Sequence, residues 1–132
     1  MDLGLLPFQE AWDLQTKLFE EVVGRKLSNR DSQKYQEQFH YLLFCEHPHV
    51  YTLGRNGKEE HLLLNENSLV EKKATFYKIN RGGDITYHGY GQIMCYPILD
   101  MDEFFTDIGR YIRFLEEVVI RMLAEHILLV NE

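Results

Sequence analysis

The sequence predicts an α+β fold, with helices packed on a mixed β-sheet, and three observations predict it. A stretch with helical spacing of apolar residues opens the chain, and a longer one fills its last third. Between them lie short runs rich in aromatic and β-branched residues. Glycine or proline closes most of those runs.

Pro7 opens the first helix, because its missing donor costs nothing in a first turn. Phe8, Ala11, Trp12, Leu18, Phe19, Val22 and Val23 then share one helical face, and Gly24 predicts the stop. Residues 28–38 are polar and read as a connection with room for a helical turn. Residues 39–46 carry apolar side chains on both parities, the pattern of a strand covered on both faces. His47-Pro48 interrupts it, and residues 50–53 form a second strand ended by Gly54. Residues 59–67 carry no decisive pattern, and residues 68–73 suit one helical turn. Three further strands are predicted over 74–80, 84–88 and 92–99, punctuated by Gly82-Gly83 and by Gly89 and Gly91.

Asp100 and Glu103 have capping-box spacing and predict the start of the second helix. Phe104, Phe105, Ile108, Tyr111, Ile112, Leu115, Val118, Val119, Met122 and Leu123 form its apolar stripe, expected to be core. Ile127-Leu128-Leu129-Val130 reads as a buried strand. A native domain rarely stops two residues after such a run, so the expectation is that Glu132 is not the natural end of the fold.

The chain has 132 residues and a net charge of −7. That length suits one domain with a real core. The cations are scattered, with Lys72-Lys73 as an isolated pair, so the basic footprint of a nucleic-acid-binding protein is missing. No apolar run is long enough to span a bilayer. Met1-Asp2-Leu3-Gly4 lacks the basic and apolar regions of a secretory signal, so a cytoplasmic location is expected. Cys45 and Cys95 sit in apolar runs and are expected to be free, buried thiols.

The segment from Arg81 to Gln92 carries the chemistry. Gly82 and Gly83 follow an arginine at a strand end, where they can adopt φ > 0 and let a ligand approach the backbone. Their amides can donate to a carbonyl or an anion. Arg81 can hold a carboxylate or phosphate through its fork of donors. Asp84, Thr86 and His88 fall on one side of the predicted strand, Ile85 and Tyr87 on the other. The residues alone allow two readings. One is a ligand pocket. The other is a structural hairpin with Arg81 in an ion pair and His88 satisfied in the core.

The string Arg81-Gly82-Gly83-Asp84-Ile85-Thr86-Tyr87-His88, followed by Gly91-Gln92, resembles the signature of lipoyl (octanoyl) transferases, the lipoate–protein ligase B family. Glu46-His47-Pro48 and Val50-Tyr51-Thr52-Leu53-Gly54-Arg55 resemble that family's second block, and the long C-terminal helix fits as well. The resemblance implies the catalytic-domain fold of biotin and lipoate protein ligases, spanning residues 1–132 as a single, C-terminally shortened domain. It implies an acyltransferase that moves an octanoyl group from octanoyl-acyl carrier protein to a lysine of a lipoyl domain. Lipoyl domains of 2-oxoacid dehydrogenases and the glycine cleavage H protein are the implied acceptors. Protein lipoylation through a cysteine thioester is the implied process, without a cofactor or metal. By the resemblance, Arg81 to His88 line the acyl pocket. Gly82 and Gly83 contact the acyl chain or its carbonyl, and His88 polarises or orients the thioester.

The resemblance also implies what to doubt. The family's nucleophilic cysteine and partner lysine come later than this chain reaches, and neither Cys45 nor Cys95 matches that position. The chain is therefore expected to be inactive alone. Tyr90 replaces the family's usual proline, which either reshapes the pocket mouth or presents an exposed tyrosine. His47, His49 and His61 lack a diagnostic metal spacing, and the Pro48 between the first two favours a turn. Arg55 and Lys58 read as a turn that could touch a phosphate arm of a carrier. Two other functions stand beside acyl transfer. An ATP-using lipoate ligase lacks support from any glycine-rich adenylate loop. A non-catalytic fragment that binds acyl groups or lipoyl domains is the other.

Overall fold

The computed structural model describes residues 1–31 and 35–130, with side chains described through His126. It divides into two compact units, Met1–Leu99 and Asp100–Glu132.

The first unit starts with a strand that the sequence pattern did not announce. β1 (Asp2–Leu5) is short and contains Gly4 at φ +60°. It pairs in parallel with β2 (Tyr41–Glu46), which pairs antiparallel with β6 (Met94–Ile98). Pro97 sits in β6 at the edge of this sheet, where a missing backbone donor is tolerated. A second sheet has β3 (Val50–Leu53) at its centre. β4 (Thr75–Lys78) lies parallel on one side and β5 (Ile85–His88) antiparallel on the other. The expected α+β fold with mixed pairing is present, but the strands form two three-stranded sheets instead of one.

α1 (Phe8–Asp31) does not stop at Gly24. A glycine inside a helix costs only about 1 kcal/mol, so tertiary contacts can override it. Here they do. Arg25 bridges to Glu21 at 3.4 Å and donates to the Glu37 carbonyl at 2.9 Å. Asn29 brackets Gln36, donating to its carbonyl at 2.7 Å and accepting from its amide at 2.8 Å. On the inner face, Leu18 and Val22 pack with Leu43 and Ile98 to form the core. Phe8 and Ala11 are also buried, whereas Phe19 is exposed.

β2 is covered on one face, not two. Leu43 and Cys45 are buried, while Leu42 and Phe44 are exposed on the opposite face. The expected pair of buried thiols is corrected in the same way: Cys45 is buried and Cys95 is exposed. Strand alternation sends neighbours on paired strands to fixed faces, and Cys95 is registered with Phe44.

A 3₁₀ turn (Glu59–His61) and α2 (Glu66–Glu71) connect β3 to β4. The Asn65 side chain caps α2, accepting from the Ser68 amide at 2.9 Å. An Asn65→Ala variant should lose about 1 kcal/mol of stability, the ordinary worth of such a cap, read from urea denaturation.

The second unit corrects two expectations. Asp100 does cap a turn, accepting from the Asp102 amide at 3.1 Å, but that turn is a single 3₁₀ turn (Met101–Glu103). The long helix α3 begins later and spans Ile108–Val130. The Asp107 carboxylate accepts from the Arg110 amide at 2.9 Å at its start. Phe104 and Phe105 thus precede the helix. Arg110 lies over the Phe105 and Phe114 rings, 4.7 and 5.3 Å from their centroids. The segment 127–130 continues α3 instead of forming a strand. An apolar run of four fits either element, and a helix already under way decides it. The stripe expected to be core is exposed, including Ile112, Val118, Val119 and Met122. No helix is long and apolar enough to cross a membrane among the described residues.

Candidate functional site

The site is lined by residues of α1, β3, β5 and β6. β3 and β5 place Thr52 and Thr86 directly opposite each other, and Val50 opposite His88. Alternation then puts Thr52, Thr86 and His88 along one face. β6 adds Met94 and Tyr96, and α1 adds Phe8, Trp12 and Gln15. Together with Ile79 and Arg81 these residues line a cleft of about 360 Å³. That size falls within the range of small-molecule sites.

Arg81 is held by β3 and β5. Its Nη2 donates to the Thr52 carbonyl at 2.8 Å, to Thr52 Oγ1 at 3.0 Å and to Thr86 Oγ1 at 2.7 Å. Nη1 donates to the Gly82 carbonyl at 2.9 Å. Thr52 is fully buried, so this fork satisfies oxygens that water cannot reach. A planar guanidinium can do this because its donors diverge in one plane. None of these bonds is to a carboxylate.

His88 is the titratable imidazole of the cleft lining. Burial pushes its pKa below the ordinary 6.5. A hydrogen bond with the Gln92 side chain works against that, while His47 and Arg81 reinforce it. Nδ1 of His88 is buried and has no hydrogen-bond partner. Burial and the unpartnered Nδ1 both favour the neutral imidazole. The linkage sign follows from the lowered pKa. Below about pH 6.5 the unfolded chain takes up a proton that folded His88 resists, so stability is lost as pH falls from there. A His88→Gln variant should show a shallower loss between pH 7 and 5, measured as urea midpoints across that range.

The eight residues from Arg81 to His88 do not all meet. Arg81, Thr86 and His88 line the cleft. Gly82 and Gly83 form the turn above it, with Gly83 at φ +83°. Asp84 turns away to His61, 2.6 Å from its Nδ1, and its pKa is lowered by that partner. Ile85 and Tyr87 occupy the other parity of β5. The Tyr87 hydroxyl is 2.7 Å from His49 Nδ1, and its ring lies 5.1 Å from Tyr51.

The cleft also draws on residues that local pattern did not single out. Phe8, Trp12 and Gln15 lie on α1, each more than sixty positions before Arg81. Ile79 follows β4, and Met94 and Tyr96 lie on β6, in runs that read as ordinary strands. The half-exposure of Trp12 is visible only once the helix is docked.

Other sequence candidates separate. His47 is fully buried, His49 stacks on Tyr87, and His61 pairs with Asp84. Among the described residues no three His, Cys, Asp or Glu side chains gather as a metal-holding group. Arg55 donates its amide to the Arg81 carbonyl at 3.0 Å, and Lys58 pairs with Glu60 at 3.4 Å. Tyr90 is exposed and meets His49 edge-on at 5.0 Å. Burial raises the pKa of Cys45; partial desolvation raises that of the more exposed Cys95, and the nearby N-terminal ammonium lowers it in part.

The first unit is thus an α+β arrangement with a cleft lined by α1, β3, β5, β6 and Arg81. A family model described as the lipoyl protein ligase A/B catalytic domain matches residues 7–130, and the chain belongs to that family. An octanoyltransferase of Cytophaga hutchinsonii is 54% identical over 126 residues, covering 94% of this chain and 52% of its own. An octanoyltransferase of Christiangramia forsetii is 56% identical, covering 95% of this chain and 53% of its own. The chain spans about half the length of the curated relatives it matches. A solved chain, P. falciparum LipL1 in complex with lipoate, is a distant likeness: 17% identity and a TM-score of 0.44 over 70% of this chain and 29% of that one.

Proposed function

We propose that this chain supplies the acyl-binding part of an octanoyltransferase. The enzyme takes octanoyl groups from octanoyl-acyl carrier protein and delivers them to a lysine of lipoyl domains, in the cytoplasm. The observation that carries this reading is the cleft itself: an apolar wall of Phe8, Trp12, Ile79 and Met94 ending at Arg81, Thr86 and His88. The relatives named above support the acyl group proposed.

The physical roles follow from that arrangement. Seven buried carbons of an octanoyl tail contribute roughly 5 kcal/mol, at about 0.8 kcal/mol each. Arg81 and the amides of Gly82 and Gly83 act as donors for the acyl carbonyl. Neutral His88 orients the thioester from the side and does not compete for that oxygen as a cation would. The reading keeps residues 1–132 as part of one catalytic domain. It places the thioester-forming cysteine and its lysine outside this chain, because Cys45 and Cys95 are raised in pKa and neither lines the cleft.

The test is titration of the 132-residue chain with S-octanoyl-N-acetylcysteamine, followed by calorimetry and by mass spectrometry of an added lipoyl domain. Binding without octanoyl transfer is expected. Removing one methylene from the probe should weaken binding by roughly 1 kcal/mol, a graded preference. Transfer by this chain alone would overturn the assignment of the nucleophile. Absence of binding would overturn the acyl cleft.

A further inference from the structure

We infer that His47 is a positioning residue: it draws the Tyr96 hydroxyl hydrogen inward, so that Tyr96 offers the cleft a hydrogen-bond acceptor for an N–H of the ligand. The argument begins with the histidine, which is fully buried. Its Nδ1 lies 2.7 Å from the Leu6 carbonyl oxygen. A carbonyl only accepts, so Nδ1 carries the hydrogen. In neutral imidazole Nε2 is then bare and can only accept.

The Tyr96 hydroxyl lies 2.8 Å from that Nε2 and must donate to it. Cys45 Sγ is a weaker neighbour of the same nitrogen at 3.7 Å. Burial raises the pKa of the Cys45 thiol above its ordinary value. Tyr96 itself is pushed up to about 12, first by burial, and remains a phenol. The arrangement is braced on both sides. The Leu6 amide donates to the Glu46 carbonyl at 2.9 Å, and Phe8 meets the His47 ring edge-on at 5.6 Å.

The tautomer is thus chosen by a backbone carbonyl between β1 and α1, and its effect surfaces at β6. With its hydrogen committed, the Tyr96 hydroxyl keeps only lone pairs, and Tyr96 is one of the residues that line the cleft. Arg81, by contrast, can only donate. A ligand that carries both a carbonyl and an N–H is recognised by both groups. A secondary amide of a medium-length acyl chain is that class, and an acyl-lysine side chain is one such amide. This assignment rests on the acyl-cleft reading above.

The test compares N-methyloctanamide with N,N-dimethyloctanamide, which differ by one N–H, in calorimetric titrations of the 132-residue chain. The N–H probe should bind about fivefold tighter, the ratio one ordinary neutral hydrogen bond gives. Tyr96→Phe and His47→Leu should each remove the preference. Because His47→Leu alters the core, the wild-type His47 nitrogen-15 spectrum supplies an independent readout: Nδ1 protonated and Nε2 bare. A protonated Nε2, or an unchanged preference in folded Tyr96→Phe, would overturn the proposal. If neither probe binds the wild type, the acyl reading falls and the ligand role with it. The nitrogen pattern then still decides whether His47 orients Tyr96.

Discussion

A Gly54→Ala variant should be destabilised by about 2–3 kcal/mol, the range of an overpacked site that cannot relax. A methyl group at Gly54 would stand 2.5 Å from the Gly83 carbonyl oxygen and 3.0 Å from that of Gly82. Both are backbone atoms, so no side-chain rotation relieves the contact. The two segments are also joined by backbone hydrogen bonds. Gly54 donates to Asp84 at 3.0 Å, Arg55 to Arg81 at 3.0 Å and Asn56 to Gly83 at 3.2 Å. Moving the segments apart would break these bonds and displace the turn that carries Arg81. Gly82→Ala is the contrast. A methyl group there meets nothing within 4 Å, and Gly82 has no positive φ. Its stability should stay within about 0.5 kcal/mol of the parent. Urea denaturation of the pair decides the matter, and equal losses would show that the close approach at Gly54 is not what matters.

Replacing Arg81 should have an effect of similar size for a different reason. Arg81→Met keeps much of the stem and removes the donors. The Thr52 carbonyl and hydroxyl, both on a fully buried residue, then lose the guanidinium. Unsatisfied buried polar groups cost about 1–3 kcal/mol each, so a loss of about 2–4 kcal/mol is expected. Arg81→Lys should recover only part of it, because one ammonium cannot reach Thr52, Thr86 and Gly82 together. Guanidinium denaturation gives the stability, and titration with the octanoyl thioester gives the site. A lysine variant as stable as the parent would mean that charge, not the fork, holds β3 and β5 together.

The residues that carry these effects were unequally legible. Arg81 and the glycine pair stood out because the string around them is specific. Alternation along β5 correctly put Thr86 and His88 on one face, since strand geometry leaves no other choice. Asp84 shares that parity yet turns to His61, because the strand proper begins only at Ile85. His47 and His49 are two apart in sequence, as ligands on one strand face would be. The Pro48 between them breaks the strand, and they end in different environments, one under the cleft and one on the surface.

Helix ends were the least legible feature. Gly24 looked like a stop, but contacts from Arg25 and Asn29 to residues 36 and 37 carry α1 onward. Asp100 looked like the cap of α3, but it caps a 3₁₀ turn, and Asp107 stands at the start of the helix. Local capping chemistry says that a turn can start at a residue. It does not say how far the helix continues.

Sequence alone determined the family resemblance, the α+β class and the identity of the polar segment, because these depend on residue type and short-range spacing. Tertiary structure decided which of those residues share a cleft, which glycine must stay a glycine, and which nitrogen of His47 bears its hydrogen. Those outcomes depend on partners dozens of positions away: Gly54 on Gly83, Arg81 on Thr52, His47 on Leu6 and Tyr96. No local pattern encodes such a contact, because it arises only when packing brings the two backbones together.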